Sequence, residues 1–430
     1  MSQTVLLQNP AGLAANWRVI CRWGAGIATG LTPLFLLHGR SIAEMTITIT
    51  DACFVLHCAL SRDWRWLSAL WVRIGLVWWG WLVLCSIPLL GFGAGGLGSL
   101  LQAIAVLRFL LFAAALQFWV LTEPATRTWL WRLLAGCFAY IGIHALVQFA
   151  TGHNLYGHPP GFAGELTGPF DKPRAGPVFS RLLPVVLVPP AAALLARRTI
   201  AATAGGYVLL LGGVCLMVLF SQRMPLLLTG LGLAVAGLLL PRLRRVVIAS
   251  AAAALVLVAA SAVISPLTYH RLVEQFSQQM EGFGRSHYGQ IFARSVLMAE
   301  ANPVTGRGFD GFRTGCPLPE YYIPSSNPAL ADSVICTTHP HNFYMQALTD
   351  AGFPGLASFA AMALAWLWPL GRGLPANPNP RRVGLFASAL MVLWPIASTS
   401  SFTSMPLEGW FFLLLGFGLA EADPAMGRYG

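Results

Sequence analysis

The sequence is poor in charged residues. Only 10% of its 430 residues are Asp, Glu, Lys or Arg, while 56% are hydrophobic. Soluble domains carry about 25% charged residues, so a soluble enzyme of this length could not bury so much apolar surface. The same composition excludes a disordered chain, and eight cysteines are too few for a disulfide-rich scaffold. The composition therefore predicts an all-α, polytopic membrane protein.

Lysine is almost absent. Lys172 is the only lysine among 27 basic residues, and the net charge is +11. In a soluble protein this charge would indicate nucleic acid, but the cytoplasmic loops of membrane proteins also collect basic residues, so we expect no nucleic-acid partner. Arginine can bind phosphate through two parallel hydrogen bonds and stays charged. The bias toward arginine therefore favours a phosphate-bearing ligand.

Apolar segments of about 20 residues, each long enough to cross a membrane, recur along the chain. About twelve transmembrane helices are predicted, at 17–37, 42–60, 66–90, 97–121, 128–150, 178–196, 201–220, 224–240, 246–265, 342–370, 382–400 and 406–421. The chain is thereby divided into residues 1–265 with transmembrane helices 1–9 and an outer loop at 151–177, a large periplasmic loop subdomain at 266–341, and residues 342–430 with transmembrane helices 10–12.

Basic residues alternate with these spans. They cluster in every second connection, which places them all on one side of the membrane: Arg18, Arg22, Arg62, Arg65, Arg127, Arg132, Arg197, Arg198, Arg242, Arg244, Arg245, Arg372, Arg381, Arg382 and Arg428. Lys and Arg mark the cytoplasmic side of a membrane protein. We therefore predict that both termini are cytoplasmic and that the large loop lies on the outer side.

Some basic residues break this rule by lying on the outer side, among them Lys172, Arg174, Arg223 and Arg307. Solvated salt bridges with outer acidic residues can account for most of these. Arg223 differs because it lies in a very short connection, SQRMPLLLTG, which contains no acidic residue. An arginine held at the membrane edge is costly, so Arg223 indicates an anionic ligand or a buried acid.

The stretch THPHNFYMQALTDAGFPGL at 338–356 leads from the large loop into the tenth span. Asn342 can cap the helix that begins there, and helix N-termini favour anions. Gly352 and Gly355 form a small-x-x-small pair that allows close helix contact. From the residues alone, the pattern fits both a functional site and a capped packing helix with an incidental histidine.

Two short motifs resemble the signatures of the O-antigen ligase family. The first motif is H-N, nine residues, then G-x-x-G, formed by His341, Asn342, Gly352 and Gly355. The second motif is an Arg, three residues and a Leu in an outer loop, formed by Arg223 and Leu227. Segments 168–187 and 294–313 are also similar to parts of these proteins, so the resemblance covers roughly 160–420.

The resemblance implies a glycosyltransferase of the bacterial inner membrane whose active site faces the periplasm. Such an enzyme transfers a glycan from undecaprenyl diphosphate to a sugar hydroxyl of the lipid A core, which completes lipopolysaccharide. The implied partners are the undecaprenyl-diphosphate-linked O-antigen donor, the lipid A-core acceptor and the surrounding membrane lipids. No cofactor is implied.

Within this resemblance the candidate residues have defined chemical roles. His341 is the expected general base, because an imidazole can accept the hydroxyl proton at neutral pH, and His339 is the alternative. Arg223 is expected to stabilise the departing diphosphate, as guanidinium groups can do without a metal. The other residues predicted to bind diphosphate or substrate are Arg174, Arg307, Lys172, Asn342 and His339.

A zinc site is the competing interpretation of the histidines. His339 and His341 could hold zinc with a third histidine, taken from His153, His158 or His287. No cysteine or carboxylate completes a recognisable ligand spacing. Metal-using oligosaccharyltransferases of other families place acidic pairs in early outer loops, whereas the first outer loop here offers a single acid. We therefore predict a metal-independent enzyme.

Other functions remain open at this point. An O-antigen polymerase or a protein O-oligosaccharyltransferase of the same superfamily would share the histidine motif. A secondary transporter, which is a different class of protein, would also fit twelve spans. However, the sequence lacks the repeated halves and interrupted helices typical of that class, and a large loop between spans nine and ten is unexpected there.

The sequence also predicts a disulfide between Cys316 and Cys336. The other six cysteines fall in predicted spans, and only these two lie in the large outer loop, which faces an oxidising compartment. Closing the Pro/Ser-rich segment between them is worth roughly 3 kcal/mol in the chain-entropy model. Mass spectrometry of non-reduced peptides is expected to detect the linked pair. Two alkylatable thiols in protein taken from the membrane would contradict the prediction.

Overall fold

The computed structural model describes residues 10–90, 93–161, 164–323 and 335–423. Helices make up 77% of the structure, and these ranges contain no strand. The predicted all-α class is therefore confirmed. Both chain termini, including Arg428, and most of the segment between Cys316 and Cys336 lie outside the described residues.

The first part of the chain folds into long apolar helices. They are α1 (Pro10–His38), α2 (Arg40–Ser61), α3 (Leu70–Cys85), α4 (Gly96–Ala105), α5 (Leu107–Ala115), α6 (Pro124–Thr151), α7 (Ala175–Ala196), α8 (Ile200–Leu219), α9 (Arg223–Leu239) and α10 (Arg244–Ile264). A π-helical turn, Leu116–Val120, extends α5.

Short helices follow α10, and long helices return near the C-terminal end. They are α11 (Pro266–Tyr269), α12 (Gln275–Glu281), α13 (His287–Ala301), α14 (Gly311–Gly315), α15 (Phe343–Gly371), α16 (Pro380–Val392) and α17 (Leu407–Ala422). A π-helical turn, His270–Glu274, joins α11 to α12.

Eight segments of the described chain are helical, long and apolar enough to cross a membrane. They contain α1, α2, α4 with α5, α6, α7, α8, α10 and α15. The apolar helices α3 and α9 are shorter. Each of the predicted spans contains a helix, whereas the count of twelve crossings stays a prediction.

The eleventh predicted span, 382–400, is wrong in its second half. Helix α16 ends at Val392, and residues 393–406 are irregular up to the start of α17. This 393–406 loop is bound to the start of α15, where Nδ2 of Asn342 donates to the carbonyls of Pro395 at 2.7 Å and Ala397 at 3.2 Å. Irregular backbone is tolerated at membrane depth where protein groups satisfy it. The loop carries no charged residue, so the predicted span ran into it, although Pro395 and the run of Ser and Thr at 398–401 are unfavourable for a helix.

Helix α15 is itself interrupted, at Ala351 and Gly352, so the expectation that the chain has no interrupted helix is wrong. Gly352 has φ 67° and ψ −167°, and the backbone N–H of Phe353 donates to the carbonyl of Pro303 at 2.8 Å. A Cβ on Gly352 would lie 2.5 Å from the carbonyl oxygen of Val304. The predicted role of this glycine in helix–helix packing is therefore wrong, because Gly352 lets the loop after α13 contact the broken helix backbone to backbone.

Residues 266–341 have a small apolar core of their own, separate from the large core of the bundle. Cys316 and Cys336 form a disulfide in this core, with their Cα atoms 5.4 Å apart. Beneath it lies the buried Arg294, whose Nη1 donates to the carbonyl of Cys316 at 3.2 Å. The apolar side chains of this core are Ile291, Met298, Phe312, Tyr321 and Ile335.

Ion pairs hold helix ends together on the opposite side of the bundle. Arg127 of α6 and Arg381 of α16 both pair with Glu421 of α17, at N···O distances of 3.5 and 2.8 Å. Close by in sequence, Glu123 precedes α6 and pairs with Arg22 of α1. These arginines are among those predicted to be cytoplasmic, and the fold brings them to a common end.

The break in α15 leads to a prediction for stability. Gly352→Ala places a Cβ against two carbonyl oxygens at a positive φ, so we expect the free energy of unfolding to fall by roughly 1–3 kcal/mol. Gly212→Ala in α8 is the matched control, because a Cβ there would meet nothing within 4 Å. Thermal unfolding of the purified proteins in detergent measures both changes. Equal midpoints for the two variants would contradict the need for glycine at 352.

Candidate active site

Three histidines and a tyrosine meet where residues 266–341 join α15. The ring centroid of His341 lies 4.4 Å from that of His339, 6.3 Å from that of His287 and 5.8 Å from that of Tyr288. His287 and Tyr288 begin α13, which packs against α15. The predicted base is thus surrounded by rings from its own segment and from the loop subdomain.

The backbone of His341 is held in an uncommon conformation. Its φ of 54° is left-handed, which is rare for a residue with a Cβ. Next to it, the side-chain oxygen of Asn342 caps α15 by accepting from two backbone N–H groups, as predicted for a helix start. The backbone N–H of Thr399 donates to the carbonyl of His341 at 2.8 Å. Such a conformation persists only where the surroundings hold it, and here the 393–406 loop does so.

The imidazoles of this cluster are poorly solvated. Burial lowers the pKa of His341 below its ordinary value; a backbone hydrogen bond with Thr399 opposes this shift, and the nearby His287 adds to it. Burial likewise lowers the pKa of His287, and it lowers the pKa of His339 to about 4. The three imidazoles are therefore neutral at neutral pH. A neutral imidazole is the form that can accept a proton.

Arg223, at the start of α9, is held by two side-chain amides. Its Nη1 donates to Oε1 of Gln279 at 2.8 Å, and its Nη2 donates to Oε1 of Gln275 at 3.2 Å. The two glutamines are four residues apart, so they lie on one face of their helical segment and reach the same guanidinium. Amides are neutral, and no carboxylate among the described residues pairs with Arg223. Its positive charge therefore stays available to an anion.

Tyr288 connects the arginine to the histidines. It lies close enough to Arg223 to interact with the charge of that side chain. Its ring is also next to that of His341, at 5.8 Å. The predicted base and the predicted phosphate-binding arginine, which come from different loops, thus lie in the same region of the fold, near Tyr288.

A second arginine near Arg223 is already neutralised. Arg271 interacts electrostatically with Arg223, and it forms an ion pair with Glu165. Glu165 belongs to the 151–177 loop, so this loop extends to the same region. Of the two guanidinium groups, Arg223 is the one without an acidic partner in the described part of the chain.

The 151–177 loop also carries Lys172 and Arg174 toward α9. These residues flank Pro173, whose carbonyl accepts a hydrogen bond from Nε2 of Gln222 at 2.8 Å. Gln222 directly precedes Arg223, so this bond places Arg174 near the start of α9. Within the described ranges, the side chains of Lys172 and Arg174 form no hydrogen bond or ion pair. Two further cations are therefore available on this side of the site.

Arg307 lies in a different setting. Its Nη1 donates to the hydroxyl of Tyr321 at 3.0 Å and lies 3.6 Å from the carboxylate of Glu320. Its backbone N–H donates to the carbonyl of Thr349 at 2.9 Å, next to the break in α15. Arg307 thus links the loop subdomain to α15. A role of Arg307 in binding the donor stays a prediction, as does that of Asn342, whose side chain is occupied by the cap and the 393–406 loop.

The histidine cluster was also a candidate zinc site. No group of three His, Cys, Asp or Glu side chains in the described ranges is placed to hold a metal ion. The side chain of His339 instead bonds through Nδ1 to the hydroxyl of Thr338 at 2.9 Å. Metal independence of the enzyme stays a prediction.

Four residues of the site were missed by sequence reasoning: Tyr288, Gln275, Gln279 and Thr399. None belongs to a recognisable motif, and Thr399 was assigned to a helix. The i, i+4 spacing of Gln275 and Gln279 was the one available signal, since it predicts two amides on one helical face. Their partner could not be foreseen, because Arg223 lies in another helix.

The fold is that of a helical membrane protein. Its candidate site contains a neutral histidine at the start of α15 and, at the start of α9, an arginine that has no acidic partner in the described residues. The family model described as O-antigen ligase matches residues 207–360. The matched range runs from α8 into α15 and contains both motifs and the whole loop subdomain. The match confirms the resemblance to the O-antigen ligase family and supports membership of the ligase and polymerase superfamily. A search of curated proteins gives no match.

Proposed function

We propose that this protein is an O-antigen ligase that transfers a glycan from undecaprenyl diphosphate to a sugar hydroxyl of lipid A-core. The observation that carries the proposal is the placement of His341 and Arg223 in one region near Tyr288, within the range that matches the family. Transfer of this kind needs a base for the acceptor and a cation for the leaving group. A neutral imidazole and an arginine without a paired carboxylate supply these two functions.

In the proposed reaction, the acceptor oxygen attacks the anomeric carbon of the donor sugar and forms the new glycosidic bond. The bond between that carbon and the diphosphate oxygen breaks, and its electron pair leaves with undecaprenyl diphosphate. The hydroxyl proton passes to His341. Arg223 stabilises the charge that develops on the diphosphate, and Arg174 and Lys172 are expected to bind its outer phosphate oxygens. No step requires a metal ion.

The proposed orientation puts this site on the periplasmic face of the bacterial inner membrane. The ion pairs of Glu421 then lie at the cytoplasmic end, together with both termini. In this orientation a lipid-linked donor can approach through the membrane while its sugars stay outside the cell. The acceptor, being itself a lipid, approaches in the same leaflet.

Lipopolysaccharide from a strain lacking this gene tests the proposed function. A ligase defect removes the long-chain ladder from the gel, while lipid-linked long chains accumulate. A polymerase defect would instead leave core bearing a single repeat unit, and normal lipopolysaccharide would contradict both functions. Complementation with the wild-type gene is the control.

His341→Ala is expected to reduce transfer by on the order of 10²–10⁴-fold, since removal of a general base has effects of this size. The rate is measured with purified protein and lipid-linked donor. His153→Ala, which changes an exposed histidine of the 151–177 loop, is the matched control and is expected to keep the wild-type rate. Full activity of His341→Ala together with loss in His339→Ala would move the base to His339.

The pH profile tests the same assignment. Because the pKa of His341 is lowered, the base stays unprotonated to a lower pH than an ordinary imidazole, and the rate should drop only below the range in which an ordinary imidazole titrates. His287 contributes to that lowering. His287→Ala is therefore expected to raise the pKa of His341 and move the acid limb to higher pH. An acid limb that stays in place in this variant would argue against His341 as the titrating base.

Arg223→Lys is expected to lose about 10-fold or more of the transfer rate, because lysine cannot bind phosphate through two parallel hydrogen bonds. It also cannot span Gln275 and Gln279 as the guanidinium does. Arg313→Lys is the matched control, since Arg313 pairs with Asp310 away from the histidines. A wild-type rate for Arg223→Lys would show that charge alone suffices at this position.

A further inference from the structure

A buried ion pair lies beneath the 393–406 loop. Glu408 of α17 has no exposed surface and Arg181 of α7 is 5% exposed, with Nη2 of Arg181 3.5 Å from Oε1 of Glu408. An ion pair this deep in a membrane bundle costs desolvation energy, and replacing it with apolar residues is often neutral or stabilising. Intramembrane ionisable residues are therefore functional candidates. The proposed reaction does not yet use this pair.

Both partners are bonded to the 393–406 loop or to its end. Arg181 donates through Nη1 to the carbonyl of Leu407 and through Nη2 to Oγ1 of Thr399 at 3.4 Å. Oγ of Ser400 donates to Oε1 of Glu408 at 3.1 Å. Thr399 and Ser400, which are consecutive in the loop, thus bond to Arg181 and to Glu408, respectively.

Thr399 is also the loop residue that contacts the histidines. Its backbone N–H donates to the carbonyl of His341 at 2.8 Å. The Thr399 backbone also opposes the lowering of the pKa of His339 and His341 by burial. Thr399 is therefore bonded directly to the backbone of His341.

We infer that the buried Arg181–Glu408 pair positions His341 through Thr399, and that Arg181, Glu408 and Thr399 are positioning residues for the proposed transfer. The inference rests on the proposed function. The pair fixes the side chains of Thr399 and Ser400, and the backbone N–H of Thr399 in turn fixes the left-handed turn of His341. A base on a fixed backbone keeps its ring in one position relative to the acceptor hydroxyl.

The titratable and charged groups that face His341 come from several elements. His339 belongs to its own segment, His287 and Tyr288 belong to α13, and Arg223 lies beyond Tyr288. Arg181 and Glu408 are linked to His341 by the 393–406 loop, through the side chains of Thr399 and Ser400. In the described residues the ion pair is bonded to the side chains of Thr399 and Ser400 and forms no hydrogen bond with His341 itself, so changes to these two side chains test its effect.

The experiment uses full-length purified protein, lipid-linked donor and lipid A-core acceptor, with kcat, donor KM and the pH profile measured. Thr399→Val keeps the shape of the side chain and removes the hydroxyl that Arg181 binds. We expect kcat to fall about 10-fold with donor KM unchanged, because sub-ångström displacement of a base slows the chemical step. The acid limb should move to lower pH, since the displaced Thr399 backbone then raises the pKa of His341 less.

Thr399→Ser keeps the hydroxyl and should restore the wild-type rate and pH profile. Ser388→Ala is the matched control, because Oγ of Ser388 donates to the backbone carbonyl of Arg181 at 2.8 Å and leaves its guanidinium untouched. This variant should match the wild type. If Thr399→Val does not accumulate, Ser400→Ala gives the same measurement from the Glu408 side.

Wild-type kcat and an unmoved acid limb in Thr399→Val, or in Ser400→Ala, would overturn the inference. So would a loss in Ser388→Ala as large as that in Thr399→Val, since packing alone would then explain the effect. His341→Ala in the same assay separates this result from failure of the proposed function. Activity retained in His341→Ala refutes the proposed base, whereas an inactive His341→Ala beside a normal Thr399→Val refutes only the positioning.

Discussion

The hydrogen bond from the backbone N–H of Thr399 to the carbonyl of His341 is the contact on which the site depends. It joins the 393–406 loop to the residue before α15 and holds a left-handed turn that would otherwise relax. Asn342 adds two more bonds between the same segments. The position of the proposed base is thus set by the packing of the last three long helices, although the base belongs to the end of the loop subdomain.

The arginine side of the site follows a different physical rule. Arg223 is held by the amides of Gln275 and Gln279, which fix the direction of the guanidinium without neutralising it. The neighbouring Arg271 shows the contrast, because Glu165 compensates its charge. A cation prepared for an anionic ligand needs partners that orient it but carry no opposite charge. Neutral amides meet this requirement, and the loop subdomain brings them to α9.

Much of the fold was predictable from the sequence because it depends on local properties. Apolar runs of sufficient length predicted a helix in each span, and the positions of the cysteines singled out Cys316 and Cys336. Prediction failed where a segment's neighbours override its own composition. Residues 393–400 carry no charge and were included in a predicted span, yet they bond to Asn342 and His341 instead. Gly352 was interpreted as a helix-packing residue, but its backbone instead contacts the backbone of the loop at Pro303 and Val304.

The sequence by itself determined the all-α class, the motifs carried by His341 and Arg223, and the excess of arginine that indicates a phosphate ligand. These properties depend on residue type and short spacing. Only the tertiary structure decided where the cations lie. Arg223 lies near Tyr288, whose ring is next to that of His341. Arg174 lies near the start of α9 because Gln222 bonds to Pro173, whereas Arg307 bonds to Tyr321 near the break in α15. The reason is that these contacts join helices and loops far apart in the chain, and neither spacing nor hydropathy encodes such distances.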